Sequence, residues 1–493
     1  MKDFLTKLLL LKCIIFLGLS TAVNSQEFKE LKFQLASNHA GKISIAIPFE
    51  KGKLPLKTIF ALESEHGLVD AEMGQHLLWP GTNYIRAISL TFKPKKPLSK
   101  YRLFWRNSAF KLKRIIPSSS FVDVTFDGDY LQTIGYGRKT TNLLEYSWFD
   151  FGFKQFANYV TNPALISQNP KQRLTYADAA PWLYDHPYTL YMLYLRTGEL
   201  TWKRLAHEKA LKYAKHINSG GYFELKNRPD LKYLMASGLV IDYLFYPSRR
   251  TQKIVSKMHK NGLLWHERYQ DSLSFWTERN LSNALALAMA EWELNGNIAA
   301  KDRVDNLIKG ISSSMVRTGK GGCVLHEFRD HEGKGDDSQV CSLWMSALVV
   351  EQLWRYIHLT DSLLAKKQII ALGDHALENG LYLGNHKHLD GLVIPMYLYF
   401  KEESRYQKNS QWTDMHHACD VVSMILKSQY IKKLSGADYR YGRDKVKGLL
   451  KTCKKTLSRS KKVKVWSISP LRKFNWWFSS TANLEWLLME LDY

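Results

Sequence analysis

Tight turns at Arg196–Glu199, Tyr246–Ser248 and Asn295–Asn297 recur at a spacing of about 49 residues, each between two helical segments, which is how repeated helical hairpins show in a sequence. Further turns at Thr360–Ser362 and Ser435–Ala437 follow at wider spacing, so the later hairpins carry insertions. Within a pair the first helix is apolar almost all round, as in Leu281–Ala290, and the second is charged on one face, as in Trp202–Lys215. A helix buried on every side belongs to an inner ring and a one-sided helix outside it. An all-α, (α/α)6-type toroid is therefore expected over residues 142–493, with segments near Trp148–Tyr159 and Ala482–Leu491 available to close the ring.

The chain before the hairpins reads differently. Lys42–Pro48, Thr58–Leu62, Tyr84–Phe92 and Tyr101–Trp105 are short runs rich in β-branched and aromatic residues, separated by Gly, Pro and Lys turns. They predict an all-β sandwich or barrel over residues 26–118. Residues 119–141 are expected to link the two domains, with one more hairpin around Asp127. Residues 1–25 read as a secretory signal: Lys2 and Lys7 precede a mainly apolar run to Leu19, and Val23 and Ser25 are small enough for cleavage. That run is too short for a stable membrane span, so a periplasmic or secreted protein is expected.

Lys and Arg total 70 against 46 Asp and Glu, a net charge of +24. A field of that sign attracts polyanions. With no nucleic-acid-binding motif on an exported chain, the expected partner is an acidic polysaccharide or oligosaccharide and not nucleic acid. Affinity for it should fall as salt screens the field.

Polar and aromatic clusters open the inner helices at Trp182–Tyr188, Trp276–Asn280, Asp336–Trp344, Trp412–His417 and Asn475–Phe478. Because every outer-to-inner connection ends at the mouth of the ring, these clusters should converge there. On these features the chain resembles the six-hairpin superfamily of polysaccharide lyases and unsaturated-uronyl hydrolases. Ile43–Leu54, with its Pro-Phe-x-x-Gly turn at Pro48–Gly52, and Leu78–Arg86 are similar to the start of the β domain in exo-acting rhamnogalacturonan lyases. The second turn, Trp79-Pro80-Gly81, is one residue shorter than theirs, and no catalytic residue carries over. The resemblance implies a secreted carbohydrate-active enzyme.

Elimination at a uronic acid needs a group that neutralises the carboxylate, a base for the C5 proton and an acid for the departing oxygen. Arg279 or Arg268, with Asn280, are the expected neutralisers, His186 or His326 the base, and Tyr184 or Tyr188 the acid. Pro187 at a helix start is expected to turn His186 and Tyr188 towards the opening. Trp276, Trp344 and Trp476 offer flat surfaces for sugar rings, and Glu278 and His416 complete the expected binding set. Hydrolysis would need two carboxyl groups across the scissile bond, drawn from Asp185, Glu278, Asp336, Asp337, Asp390 and Asp414. A toroid that binds acidic glycan without turning it over needs only the tryptophans and the basic surface.

No cofactor motif is present, and His386/His388 and His416/His417 lack the spacing of a helical zinc pair. Cys419 and Cys453 lie equally far from the turn at Gly436, so in an antiparallel hairpin they should stand at one height and pair. Cys323 and Cys341 bracket a polar loop and form the other candidate pair.

Overall fold

The computed structural model describes residues 29–96, 99–118, 120–127, 130–134, 179–266, 277–332, 336–402, 411–459 and 471–493. The signal segment, Arg268, Trp276 and the helix expected near Trp148–Tyr159 lie outside these residues.

Eight strands come first: β1 Lys29–Leu35, β2 Ile43–Pro48, β3 Thr58–Ser64, β4 Gly67–Val69, β5 Ala71–Leu78, β6 Ile85–Phe92, β7 Lys100–Asn107 and β8 Val124–Phe126. They form two antiparallel sheets, ordered β4-β3-β7-β1-β8 and β2-β6-β5. Both supply one apolar core, with Phe33, Tyr101 and Leu103 from the first and Ile45, Ile47, Ile88 and Leu90 from the second. Strands β2 and β6 are buried at every position, because their other face docks on the helical ring. Of the segment expected to form a hairpin around Asp127, Val124–Phe126 pairs with β1 as β8 and Tyr130–Ile134 is a helical turn, while residues 128–129 and 135–141 lie outside the described residues.

Besides the short helices Phe328–Glu332 and Gln411–Asp414, twelve longer ones follow among the described residues: α1 His186–Thr197, α2 Leu200–Lys215, α3 Ser237–Phe245, α4 Arg249–Gly262, α5 Glu278–Asn295, α6 Ile298–Ser314, α7 Leu343–Thr360, α8 Leu363–Asn379, α9 Ala418–Leu434, α10 Arg443–Arg459, α11 Leu471–Thr481 and α12 Leu484–Glu490. Contacts run from α1 to α3, α5, α7, α9 and α11, and from α11 back to α1, closing an inner ring. Helices α2, α4, α6, α8 and α10 pack outside it. The pattern that produced this is visible in α5, buried from Leu281 to Leu294 except at Asn283, against α4, where burial recurs at Thr251, Ile254, Val255 and Met258. The turns end helices by left-handed caps at Gly198, Gly296 and Asp361, a backbone region that favours glycine.

Ion pairs replace apolar contacts at a few fully buried points. Arg196 reaches Glu485 at 2.5 Å and ties α1 to α12, and Lys427 pairs with Glu351 between α9 and α7. The β sheets are pinned to the ring in the same way: Glu293 on α5 is held by Arg86 of β6 at 2.6 Å and by Arg355 of α7. Lys51 donates to the carbonyls of His358 and Leu359 at 2.9 and 2.7 Å, where α7 presents the negative end of its dipole. Both expected disulfides are formed, Cys419–Cys453 joining α9 to α10 and Cys323–Cys341 closing the loop between α6 and α7. No helix among the described residues is long and apolar enough to cross a membrane.

Burial also fixes the response to acid. Desolvation lowers His76, His186 and His331 to about 3 and His375 to about 4. These imidazoles stay neutral in the fold but charge near 6.5 once unfolded, so the unfolded chain binds more protons and stability falls as pH drops below that value. Asp185 and Asp414, pushed up to about 6 by desolvation, act in the opposite sense up to that pH, and the four imidazoles outweigh them. Melting temperature is expected to fall between pH 7 and pH 5, with a loss on the order of 1–3 kcal/mol per pH unit. A flat or rising profile in a calorimetric pH series would contradict this.

Candidate active site

The connections that enter the inner helices meet at one end of the ring, opposite the β sheets. There a cavity of about 460 Å³ is lined by Leu183, Tyr184, Lys232, Arg279, Trp344, Tyr397, Thr413, His416, His417, Arg472, Lys473 and Trp476. Each comes from a helix start or the segment just before one, apart from Tyr397 on the loop between α8 and α9. Helix N-termini carry partial positive charge, so their convergence favours an anion before any side chain is counted.

The wall at α1 is built by strained backbone. Tyr184 and Asp185 both adopt left-handed conformations, with φ of 65° and 61°, which non-glycine residues rarely do. What holds them is the Asp185 carboxylate, which accepts from Tyr188 N at 3.1 Å and from Gly238 N at 2.9 Å, stitching α1 to α3. Gly238 is required there, since a Cβ would lie 2.5 Å from Asp185 Oδ1. The bend leaves Tyr184 on the cavity wall, where Arg279 Nη1 makes a long contact of 3.5 Å to its hydroxyl. Asp185 is thus a helix cap, away from the reacting position that hydrolysis would demand of it.

An aromatic box stands opposite. His417 stacks on Trp344 at 5.2 Å and packs against Trp476 at 4.6 Å and Tyr397 at 5.2 Å. Its Nδ1 lies 3.3 Å from the buried Asp420 carboxylate, one helical turn on, which fixes the ring and leaves Nε2 as the nitrogen available for chemistry. Arg279 stands 6.0 Å from the Trp344 ring. Arg279 Nε and Trp344 Nε1 are buried donors without a hydrogen-bond partner among the described residues.

Charge in the cavity is of one sign. Desolvation, then the neighbouring Arg279, lower Lys232 to about 8, with Arg472 adding to the effect. His416 is lowered to about 2, by desolvation first and then by His417 and Lys473, so it is neutral. Among the described lining residues there is no carboxylate.

The expected site residues divide accordingly. Tyr184, Arg279, Trp344, His416 and Trp476 line the cavity together. His186 and Tyr188 do not take the position at the opening expected of them. His186 is fully buried, with Nδ1 2.9 Å from Asn475 Oδ1, and Asn475 also donates to the carbonyls of Pro181 and Leu183. Tyr188 is buried beside it. An inner helix packed on all sides turns even its first residues into its neighbours, and a proline start does not override that packing. Glu278, Asn280 and His326 are also behind the wall: His326 Nδ1 lies 3.1 Å from Glu278 Oε2, misaligned for a hydrogen bond, and Asn280 accepts from Thr277. His326 Nε2 in turn meets His331 Nδ1 at 3.4 Å. Thr413 belongs to the Trp412–His417 cluster, while Lys232, Tyr397, Arg472 and Lys473 also line the cavity and carry no sequence signature of their own. The His417-x-x-Asp420 spacing is one signal that a helical reading of that segment offers.

Cys323, Cys341 and His375 place their ligand atoms within 4.8 Å of one another, the one metal-type cluster among the described residues. The two sulfurs are bonded to each other, so that donor set is used as a disulfide.

No protein-family model matches the chain, and no curated protein matches it in sequence. Among solved structures the chain is similar to a family 76 glycoside hydrolase from a bovine Bacteroides thetaiotaomicron strain, at 10% identity and TM-score 0.39 over 95% of this chain and 97% of that one. It is similar also to a polysaccharide lyase, at 10% identity and TM-score 0.42 over 69% of this chain and 98% of that one.

Proposed function

We propose that this chain is an exported polysaccharide lyase that cleaves a uronate-containing polysaccharide by β-elimination in the cavity at the helix starts. The observation that carries the reading is the lining itself: Lys232, Arg279, Arg472 and Lys473 beside aromatic faces, with no carboxylate among the described lining residues. Hydrolysis by the usual route places two carboxyl groups on the scissile bond, whereas elimination needs cations and a base. Arg279 and Lys232 neutralise the uronate carboxylate and so stabilise the enolate-like anion. His417, oriented by Asp420, takes the C5 proton at Nε2. The electrons left behind form the C4–C5 double bond as the C4–O bond breaks, and Tyr184 protonates the departing oxygen. Trp344 and Trp476 provide the surfaces for the sugar rings.

Export is supported by the N-terminal residues and by two disulfides, which persist in oxidising compartments. In this reading residues 26–118, joined by strand β8, form the β domain and residues 142–493 the catalytic toroid. The test is incubation with a panel of uronate-containing polysaccharides, following ultraviolet absorbance of unsaturated ends alongside total reducing ends. Equal growth of both signals is expected, at a rate that falls with salt. Reducing ends without absorbance would overturn the elimination chemistry, and preference for a neutral glycan would overturn the substrate class.

A further inference from the structure

No carboxylate among the described lining residues answers the cavity's cations, and Asp230 acts on Lys232 from outside the lining. Whereas the fully buried Arg86, Arg196, Arg355 and Lys427 are paired with carboxylates, Lys232 and Arg279 are half-buried and Arg472 is exposed, and none of these three forms an ion pair with a described residue. They approach from three separate elements: the turn Leu231–Tyr233, the first turn of α5 and the first turn of α11. Lys473, next to Arg472, adds a fourth positive group to the same wall. The positive ends of the inner helices add to the same field. Like charges gathered in a partly desolvated cavity disfavour one another, and Lys232 is lowered by desolvation first and then by Arg279, with Asp230 opposing and Lys226 and Arg472 adding smaller effects. A single uronate carboxylate offers one negative charge. It would satisfy Arg279 and leave the cations across the cavity facing each other.

We infer that the glycan unit held in this cavity carries at least two anionic groups, as a block of contiguous uronates or as a uronate beside an O-sulfated sugar, and that a uronate flanked by neutral sugars is a poor ligand. The inference rests on the uronate reading proposed above and narrows it. One anionic group lies against Arg279, whose Nη1 stands 3.5 Å from the Tyr184 hydroxyl at the reacting sugar. The second meets Arg472 and Lys473 on α11, beside Trp476, whose ring can carry the neighbouring sugar. Lys232 lines the same cavity and feels the charge of both Arg279 and Arg472.

The test uses glycans of matched length in three forms: a contiguous oligouronate, an unsulfated chain alternating uronate with a neutral sugar, and the O-sulfated counterpart of that alternating chain. Dissociation constants are measured by calorimetry on Tyr184→Phe, so that turnover does not consume the ligand, and unsaturated product is followed separately with the unaltered protein. Binding of the contiguous or the sulfated form about tenfold or more tighter than the unsulfated alternating form, about 1.4 kcal/mol, is expected. Which of the two binds tightly identifies carboxylate or sulfate as the second group. Lys232→Gln and Arg472→Gln should each bring that ratio to within about threefold, and Lys232→Arg should keep it, because each removed cation accounts for about one ion pair. Equal affinity for all three forms, tighter binding of the unsulfated alternating form, binding of none, or a ratio untouched by both glutamine variants would overturn the inference. Absence of unsaturated product from all three would overturn the lyase reading instead, while the binding ratios would still decide this one.

Discussion

His417→Ala is expected to lower kcat/KM by about 10²–10⁴-fold, the usual contribution of a positioned acid–base group. The ring is held by Asp420 at 3.3 Å inside a box of Trp344, Trp476 and Tyr397, so its orientation is set before substrate arrives. Asp420→Asn should reproduce part of the loss, since a neutral amide holds the imidazolium less well. Tyr184→Phe removes one hydroxyl from a half-buried cavity position and should cut turnover by a similar factor, with a stability change within about 0.5 kcal/mol. His186→Ala provides the contrast. It removes a buried hydrogen bond to Asn475 and should cost about 1–3 kcal/mol of stability with no comparable loss in the folded fraction's turnover. Initial rates of unsaturated product and thermal unfolding on the same preparations separate these cases. Near-normal turnover in His417→Ala would remove it from the proton-transfer step.

The largest expected effect on stability lies at the junction of sheet and ring. Glu293 is completely buried between Arg86 and Arg355, and Arg86 also covers the face of Trp79 at 4.5 Å. Glu293→Gln leaves two buried guanidinium groups without their counter-charge and should cost about 3–5 kcal/mol. Arg86→Met, which removes a charge and fills its space, should cost less. Chemical denaturation of the two variants checks this, and a loss below about 1 kcal/mol in Glu293→Gln would show that water reaches the arginines.

Hairpin periodicity made the helical ring legible, because a helix buried on all sides and a one-sided helix differ in composition along their whole length. Strands β2, β3, β6 and β7 were legible for a related reason, being dense in β-branched and aromatic residues. Strand β5 was hidden by Glu72, Gly74 and Gln75; its glycine is there because a Cβ would lie 2.5 Å from Ile115, a contact made by the fold and absent from any local pattern. The site followed the same division. Residues of the helix-opening clusters were found, since topology alone brings those openings together. Lys232 and Tyr397 were not, because each enters from a connection whose path the hairpin pattern leaves undetermined. His186 and Tyr184 are two residues apart on the same turn, and only the left-handed backbone at Tyr184 and Asp185 decides which of them reaches the cavity.

Elimination and hydrolysis differ in one atom that can be traced. Cleavage of a uronate-containing polysaccharide in heavy-oxygen water, followed by mass spectrometry of the new chain ends, tests the chemistry without reference to any variant. Elimination is expected to give a new non-reducing end that is an unsaturated uronate lighter by one water, with no heavy oxygen gained at either new end in the cleavage step once exchange at the reducing end is measured in a control. Saturated ends carrying one solvent oxygen at the cleaved bond would contradict it and make the cavity a hydrolase site.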